Sequence, residues 1–200
     1  MNGRVLLAAA FSLCATNSAA HAPVVNDKGI DYSVEAPFEV SDPEHSTAIF
    51  SELRGSAQFF RIKAHSSFRF YIGITQAKLE SCGMQQSFSF DVLDADMNRI
   101  DGRDGEVFEW WPWYEEFGNT WYWIGPEIGK AFKSNQRYEA GTYWIRVFNS
   151  KNQGRYALAV GDIERFGVGT IAGMILNRTM EKIRSGWWDE SLCEKDTVLD

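Results

Sequence analysis

The chain has 200 residues, 20 of them Lys or Arg and 27 Asp or Glu, for a formal charge of −7. Nucleic-acid binding rests on basic side chains that neutralise phosphates, and no long basic run offsets this acidic balance, so that function class is set aside. The length suits one domain with a full hydrophobic core.

The first twenty residues have the pattern of a secretory leader. Arg4 is a positive start, Val5 to Ala15 is a short apolar run, and Ser18-Ala19-Ala20 is a small-residue cleavage signal. The apolar run is well short of the roughly 20 residues that a membrane-spanning helix needs. Cys14 follows the bulky Leu13 and does not fit a lipoprotein cysteine. Cleavage after Ala20 would make His21 the amino terminus and direct the protein to the periplasm or the extracellular space. The leader holds one basic and no acidic residue, so the remaining 180 residues carry a formal charge of −8. Two cysteines remain, Cys82 and Cys193. In an oxidising compartment an even pair favours a disulfide, with two separate buried thiols as the alternative.

From His21 to Val34 the chain is polar with scattered apolar residues, as in an arm laid across a domain. Short strands are predicted at Pro37 to Val40 and Ala48 to Leu53. Ala57 to Lys63 and Phe68 to Ile74 are predicted as a further pair, with Phe60, Ile62, Phe68, Phe70, Ile72 and Ile74 in alternation. Phe88, Phe90 and Val92 alternate with Ser87, Ser89 and Asp91. In Tyr138 to Ile163, Tyr143, Ile145 and Val147 form one inward triad and Tyr156, Leu158 and Val160 another. Joined by the polar loop Asn149 to Gly154, they read as a β-hairpin with one buried side. Several short, regularly spaced strands separated by Gly and Asp turns predict an all-β fold, an antiparallel β-sandwich, over residues 21–163. Residues 164–200 read as a short C-terminal helix and a polar tail.

Asp42-Pro43-Glu44 through Phe50, Glu52-Leu53-Arg54-Gly55, Phe59-Phe60-Arg61-Ile62, Phe90-Asp91-Val92-Leu93-Asp94-Ala95-Asp96, Ala140 to Val147 and Gly154 to Leu158 together resemble bacterial pre-peptidase C-terminal domains. That resemblance, covering roughly Phe38 to Val160, implies a jelly-roll-like, non-catalytic sandwich. A Trp-rich insertion and the C-terminal segment depart from the pattern.

The insertion, Glu109 to Glu127, holds five of the eight tryptophans, Trp110, Trp111, Trp113, Trp121 and Trp123. Spacing by two pairs Trp111 with Trp113 and Trp121 with Trp123. Exposed, they would form a platform for a surface, glycan or protein partner, with Glu115 and Glu116 supplying hydrogen bonds. Buried, they would be a minicore for a long loop. Nothing else in the chain supports using the paired glutamates as a glycosidase pair. After Ile163, Leu176, Met180 and Ile183 recur at helical spacing within Gly167 to Arg184. With Arg178, Lys182, Arg184 and Trp187-Trp188, such a helix suits either docking on its own domain or a peripheral membrane contact.

Two metal readings follow from residue type. An amino-terminal His21 offers its amine and imidazole to copper, as in histidine-brace proteins, with His45 or His65 completing the set. Asp94, Asp96 and Asn98 offer oxygen ligands to calcium, although Arg99 stands where an EF-hand loop needs Gly. No Gly-x-Ser-x-Gly, His-Glu-x-x-His or phosphate-loop motif is present in the sequence.

Overall fold

The computed structural model describes residues 21–116, 118–165, 178–190 and 193. The predicted leader, the part of the predicted helix before Arg178 (Leu176 among it) and most of the tail lie outside the described residues. Two sheets pack face to face. One has six strands in the spatial order β1 (Ala22–Val25), β3 (Thr47–Arg54), β13 (Gln153–Val160), β6 (Ile72–Ala77), β10 (Thr120–Ile128) and β9 (Trp111–Glu115). The other has five, β2 (Phe38–Val40), β4 (Gln58–Ala64), β12 (Gly141–Phe148), β7 (Ser89–Leu93) and β8 (Arg99–Arg103). A third, two-stranded piece pairs β5 (Phe68–Phe70) with β11 (Gln136–Tyr138). This is the expected all-β sandwich.

Period-two alternation fills the space between the sheets. Phe60, Ile62, Phe70, Ile72, Ile74, Phe90, Val92, Ile145, Val147, Tyr156, Leu158 and Val160 are all fully buried in one cluster. Burying each such side chain contributes roughly 1.5–3 kcal/mol of transfer free energy. The polar atoms that enter this layer are bonded. Tyr156 Oη donates to Gln58 Oε1 at 2.5 Å, Ser51 Oγ donates to the same oxygen at 2.7 Å, and Gln58 Nε2 donates to the Glu52 carbonyl at 2.9 Å. A buried polar group left without such partners would cost about 1–3 kcal/mol.

The predicted hairpin at Tyr138 to Ile163 is corrected. Both triads face inward, but β12 pairs with β4 and β7 while β13 pairs with β3 and β6, so the two strands lie in opposite sheets. Alternation identifies the inward face of a strand without saying which sheet holds it. The connection is built to cross over. Asn149 Oδ1 accepts the amides of Lys151 and Gln153, and Asn152 takes a left-handed φ of 48°. The predicted pairing of Ala57–Lys63 with Phe68–Ile74 fails for the same reason, since β4 and β6 belong to different sheets. The polar arm proves to be partly strand. β1 runs parallel to β3, with Ala22 opposite Thr47, and β2 runs parallel to β4.

Helix α1 (Thr179–Trp187) lies on the outer face of the six-stranded sheet. Thr179, Ile183 and Trp187, four residues apart, are its buried stripe. Ile183 and Trp187 pack with Phe50 of β3 and Ala157 of β13, and Trp187 Nε1 donates to the Tyr156 carbonyl at 3.1 Å. Cys82 and Cys193 form a disulfide. Beside it, the Glu190 carboxylate accepts the amides of Glu80 and Ser81, both at 3.1 Å. Among the described residues no helix is long and apolar enough to cross a membrane.

Candidate functional site

The Trp-rich insertion is a β-hairpin that extends the six-stranded sheet by two strands. β10 pairs with β6 on one side and β9 on the other, leaving β9 as the sheet edge. Directly opposed residues of an antiparallel pair share a face. Tyr122 opposes Trp113 and Ile124 opposes Trp111, while Trp121 opposes Tyr114 and Trp123 opposes Pro112. The four tryptophans are therefore split. Trp111 and Trp113 lie on the outer face of the sheet, and Trp121 and Trp123 lie on the other. Each pair spaced by two shares a face, Trp111 with Trp113 and Trp121 with Trp123, and the hairpin register sets the two pairs on opposite faces.

On one face Tyr114 and Trp121 are 38% and 45% exposed, with ring centroids 5.3 Å apart and planes inclined at 54°. Tyr114 Oη bonds to the Asn119 side chain in the turn, where Asn119 takes a φ of 54°. Glu116 is exposed in the same turn. Lys78 sits over both Trp121 (5.8 Å) and Trp123 (5.6 Å), in cation–π range. The Trp123 indole N–H is buried without a hydrogen-bond partner.

The other face is different. Trp113 meets Tyr122 and Phe132 at 6.4 and 5.2 Å, and Trp111, 42% exposed, meets Phe132 at 6.3 Å. Behind these rings a cavity of about 90 Å³ opens toward the sheet, its floor formed by Ala48, Thr75, Ala157 and Ala159. Glu115 also lines it, its carboxylate accepting the Gly118 amide. Burial, and next the Glu115 charge, push the Tyr122 hydroxyl well above the ordinary phenol range. Trp188 closes on Tyr122 at 5.0 Å and donates Nε1–H to the Trp121 carbonyl at 3.1 Å.

At the far end of the cavity His21 stacks on Tyr71, with centroids 6.3 Å apart and planes 10° from parallel. Tyr71 lies in a space that two glycines leave open. A Cβ on Gly73 would fall 2.6 Å from Tyr71 Oη, and one on Gly129 would fall 2.7 Å from its ring. Tyr71 bonds to Glu127, and burial first, then that carboxylate, push its hydroxyl far up. Glu127 also accepts the amides of Ala131 (2.8 Å) and Phe132 (3.1 Å), two successive residues with φ of 51° and 63°. His21 Nδ1 is 2.5 Å from Ser46 Oγ, and burial followed by the Lys133 charge lowers its imidazole to about 4. Asp162, which opposes that shift, is itself held by Arg69 at 2.7 Å and the Ser134 amide at 2.8 Å.

The metal readings find these surroundings. The Nδ1 partner of His21 is Ser46, His45 forms a backbone bridge to Ile163, and His65 is exposed in the turn after β4. Asp94 spends its oxygens on its own turn, accepting from the amides of Asp96 and Asn98 and from Asn98 Nδ2 at 2.9–3.1 Å. Among the described residues no three His, Cys, Asp or Glu side chains converge as a metal-binding group.

Tyr71, Phe132 and Tyr114 are not marked as site residues by any pattern in the sequence. Tyr71 owes its position to Gly73 and Gly129, Phe132 to a left-handed turn, and Tyr114 to Trp121 directly across the hairpin. The one readable signal was the alternation Trp111-x-Trp113 against Trp121-x-Trp123, which gave the faces once the strands were paired.

No family model matches the chain, and no curated protein matches it. Among solved structures it is similar to the catalytic domain of a GH87 alpha-1,3-glucanase in complex with nigerose, at 12% identity and a TM-score of 0.30. A variant of that domain with the same ligand gives 12% and 0.29. Each match takes in 60% of this chain and 23% of the other, so the chain spans about a quarter of the length of those structures. A likeness that distant bears on neither the fold nor the function of this chain.

Proposed function

We propose that this protein is an exported, non-catalytic β-sandwich module, of the kind its resemblance to pre-peptidase C-terminal domains implies, that binds a glycan on its edge hairpin. The observation that carries the reading is the exposed Tyr114–Trp121 ring pair at the tip of the hairpin. Large aromatic rings left in water cost hydrophobic free energy that a folded chain ordinarily recovers by burial. Flat faces of that kind stack on the C–H faces of sugar rings. Exposed Glu116 and half-buried Lys78 are hydrogen-bonding groups of the same hairpin surface for hydroxyls. The Cys82–Cys193 disulfide supports an oxidising compartment.

The test is equilibrium binding of the purified protein to a panel of insoluble and soluble polysaccharides, with bovine serum albumin as the control. Saturable retention by at least one polysaccharide is the expected outcome. Retention no greater than the albumin control across the panel overturns the reading.

A further inference from the structure

The outer face of the six-stranded sheet is furnished differently from the edge pair. Over most of this face large residues pack: Phe50 against Trp187, and Tyr122 against Trp188. Between them the strands carry only small side chains, Ala48, Thr75, Ala157 and Ala159, drawn from three strands that are neighbours in the sheet. A hollow in the sheet results, about 90 Å³ in volume and walled by Phe132, Trp113, Tyr122, Ile124, Phe50 and Tyr71. Protein interiors are normally filled to crystal-like density, and side chains lining a void forfeit dispersion contacts.

The wall beside this hollow is held in a conformation that costs free energy. Ala131 and Phe132 both sit in the left-handed region, where residues with a Cβ are disfavoured, and each such residue stores about 1–3 kcal/mol. The Glu127 carboxylate holds them by accepting both amides, and Lys130 and Lys133 close the turn with amide-to-carbonyl bonds of 2.9 and 3.1 Å. The turn sets the Phe132 ring 5.2 Å from Trp113. At the other end the Tyr71 ring depends on the bare backbone of Gly73 and Gly129. Neither arrangement improves the core between the sheets, and both shape the same hollow. The polar groups around it are already engaged. His21 is bonded to Ser46, Tyr71 to Glu127, and Glu115 to the Gly118 amide. The walls therefore offer ring faces and methyl groups rather than a charge for a ligand to neutralise.

We infer that this hollow is a binding site for one apolar ring or short alkyl chain of an uncharged small molecule. Its size sets the limit. An engineered apolar cavity of about 150 Å³ takes up benzene, and a hollow of about 90 Å³ that is not fully enclosed is of the same order, matched to a single ring or a few methylenes. This site is separate from the proposed glycan surface, since Tyr114 and Trp121 lie on the opposite face of the hairpin.

Benzene and indole are the probes, titrated into the full chain and followed by ligand-detected NMR and by the rise in melting temperature. Thr75→Ile fills the floor with a β-branched side chain suited to a strand, and Ala48→Val fills it from the neighbouring strand β3, so a folding failure in one leaves the other. Saturable binding of at least one probe is expected, weakened at least tenfold in whichever filled variant is folded. It should persist in a Tyr114→Ala/Trp121→Ala double variant, whatever that variant does to glycan binding. Absence of binding up to the solubility limit of both probes overturns the inference. So does binding that the filled, folded variants leave unchanged, or binding that the double variant abolishes.

Discussion

At the scale of the residue, His21 shows how far local surroundings depart from what its type suggests. As a sequence feature it reads as a copper ligand, and in the fold it is a neutral ring stacked on Tyr71 and bonded to Ser46. Its imidazole is lowered from 6.5 to about 4, first by burial and then by Lys133, with Asp162 pulling the other way and itself tied to Arg69. The unfolded chain thus takes up a proton at His21 before the folded chain does. Its contribution to stability is intact above about pH 6.5, falls as the pH drops from there to about 4, and levels off below. At about 1.4 kcal/mol per pH unit the loss over that window approaches about 3 kcal/mol. Urea unfolding at pH 7 and pH 4.5 checks this. The wild type should lose more stability between the two than His21→Leu does, and equal losses in the two proteins would contradict it.

At the scale of the element, the legible part of the fold was which face of each strand is buried. Phe60 and Ile62, Phe90 and Val92, and the triads ending at Val147 and Val160 alternate because one side of each strand meets the opposite sheet. The partner of each strand was not legible. A strand's pattern is the same whether its neighbour is next in sequence or a hundred residues away, so β12 and β13 read as a hairpin although they belong to opposite sheets. The same gap hid the split of the four tryptophans. Their environments now give distinct expectations. Trp111→Ala and Trp121→Ala, at 42% and 45% exposure, should each cost less than about 1 kcal/mol. Trp113→Ala, at the cavity wall, and Trp123→Ala, whose indole nitrogen is buried, should each cost roughly 2–4 kcal/mol. Thermal melts of the four variants decide it. Uniformly small or uniformly large losses would contradict the two-faced hairpin.

At the scale of the whole molecule, α1 and the disulfide tie the C-terminal segment back onto the sheet. The Cys82–Cys193 pairing was legible because two cysteines lie outside the predicted leader. A helix docked on its own domain and tied there by the bridge was legible too; its partners were not, since Ile183 and Trp187 meet Phe50 and Ala157 from strands far away in sequence. The bridge joins residues 111 apart, and the chain-entropy model gives a loop of that length about 4–5 kcal/mol. A Cys82→Ser/Cys193→Ser variant should therefore melt well below the wild type, by an amount that reductant reproduces in the wild type. Melting temperatures unchanged by either treatment would contradict that role.

The measurement that bears most directly on the proposed function compares polysaccharide affinity and melting temperature in three proteins: wild type, Tyr114→Ala and Trp121→Ala. Both rings are exposed, so each substitution should weaken binding about tenfold, near 1.4 kcal/mol, while the melting temperature stays within a few degrees of wild type. Affinity equal to wild type in both folded variants would contradict a glycan site on this hairpin.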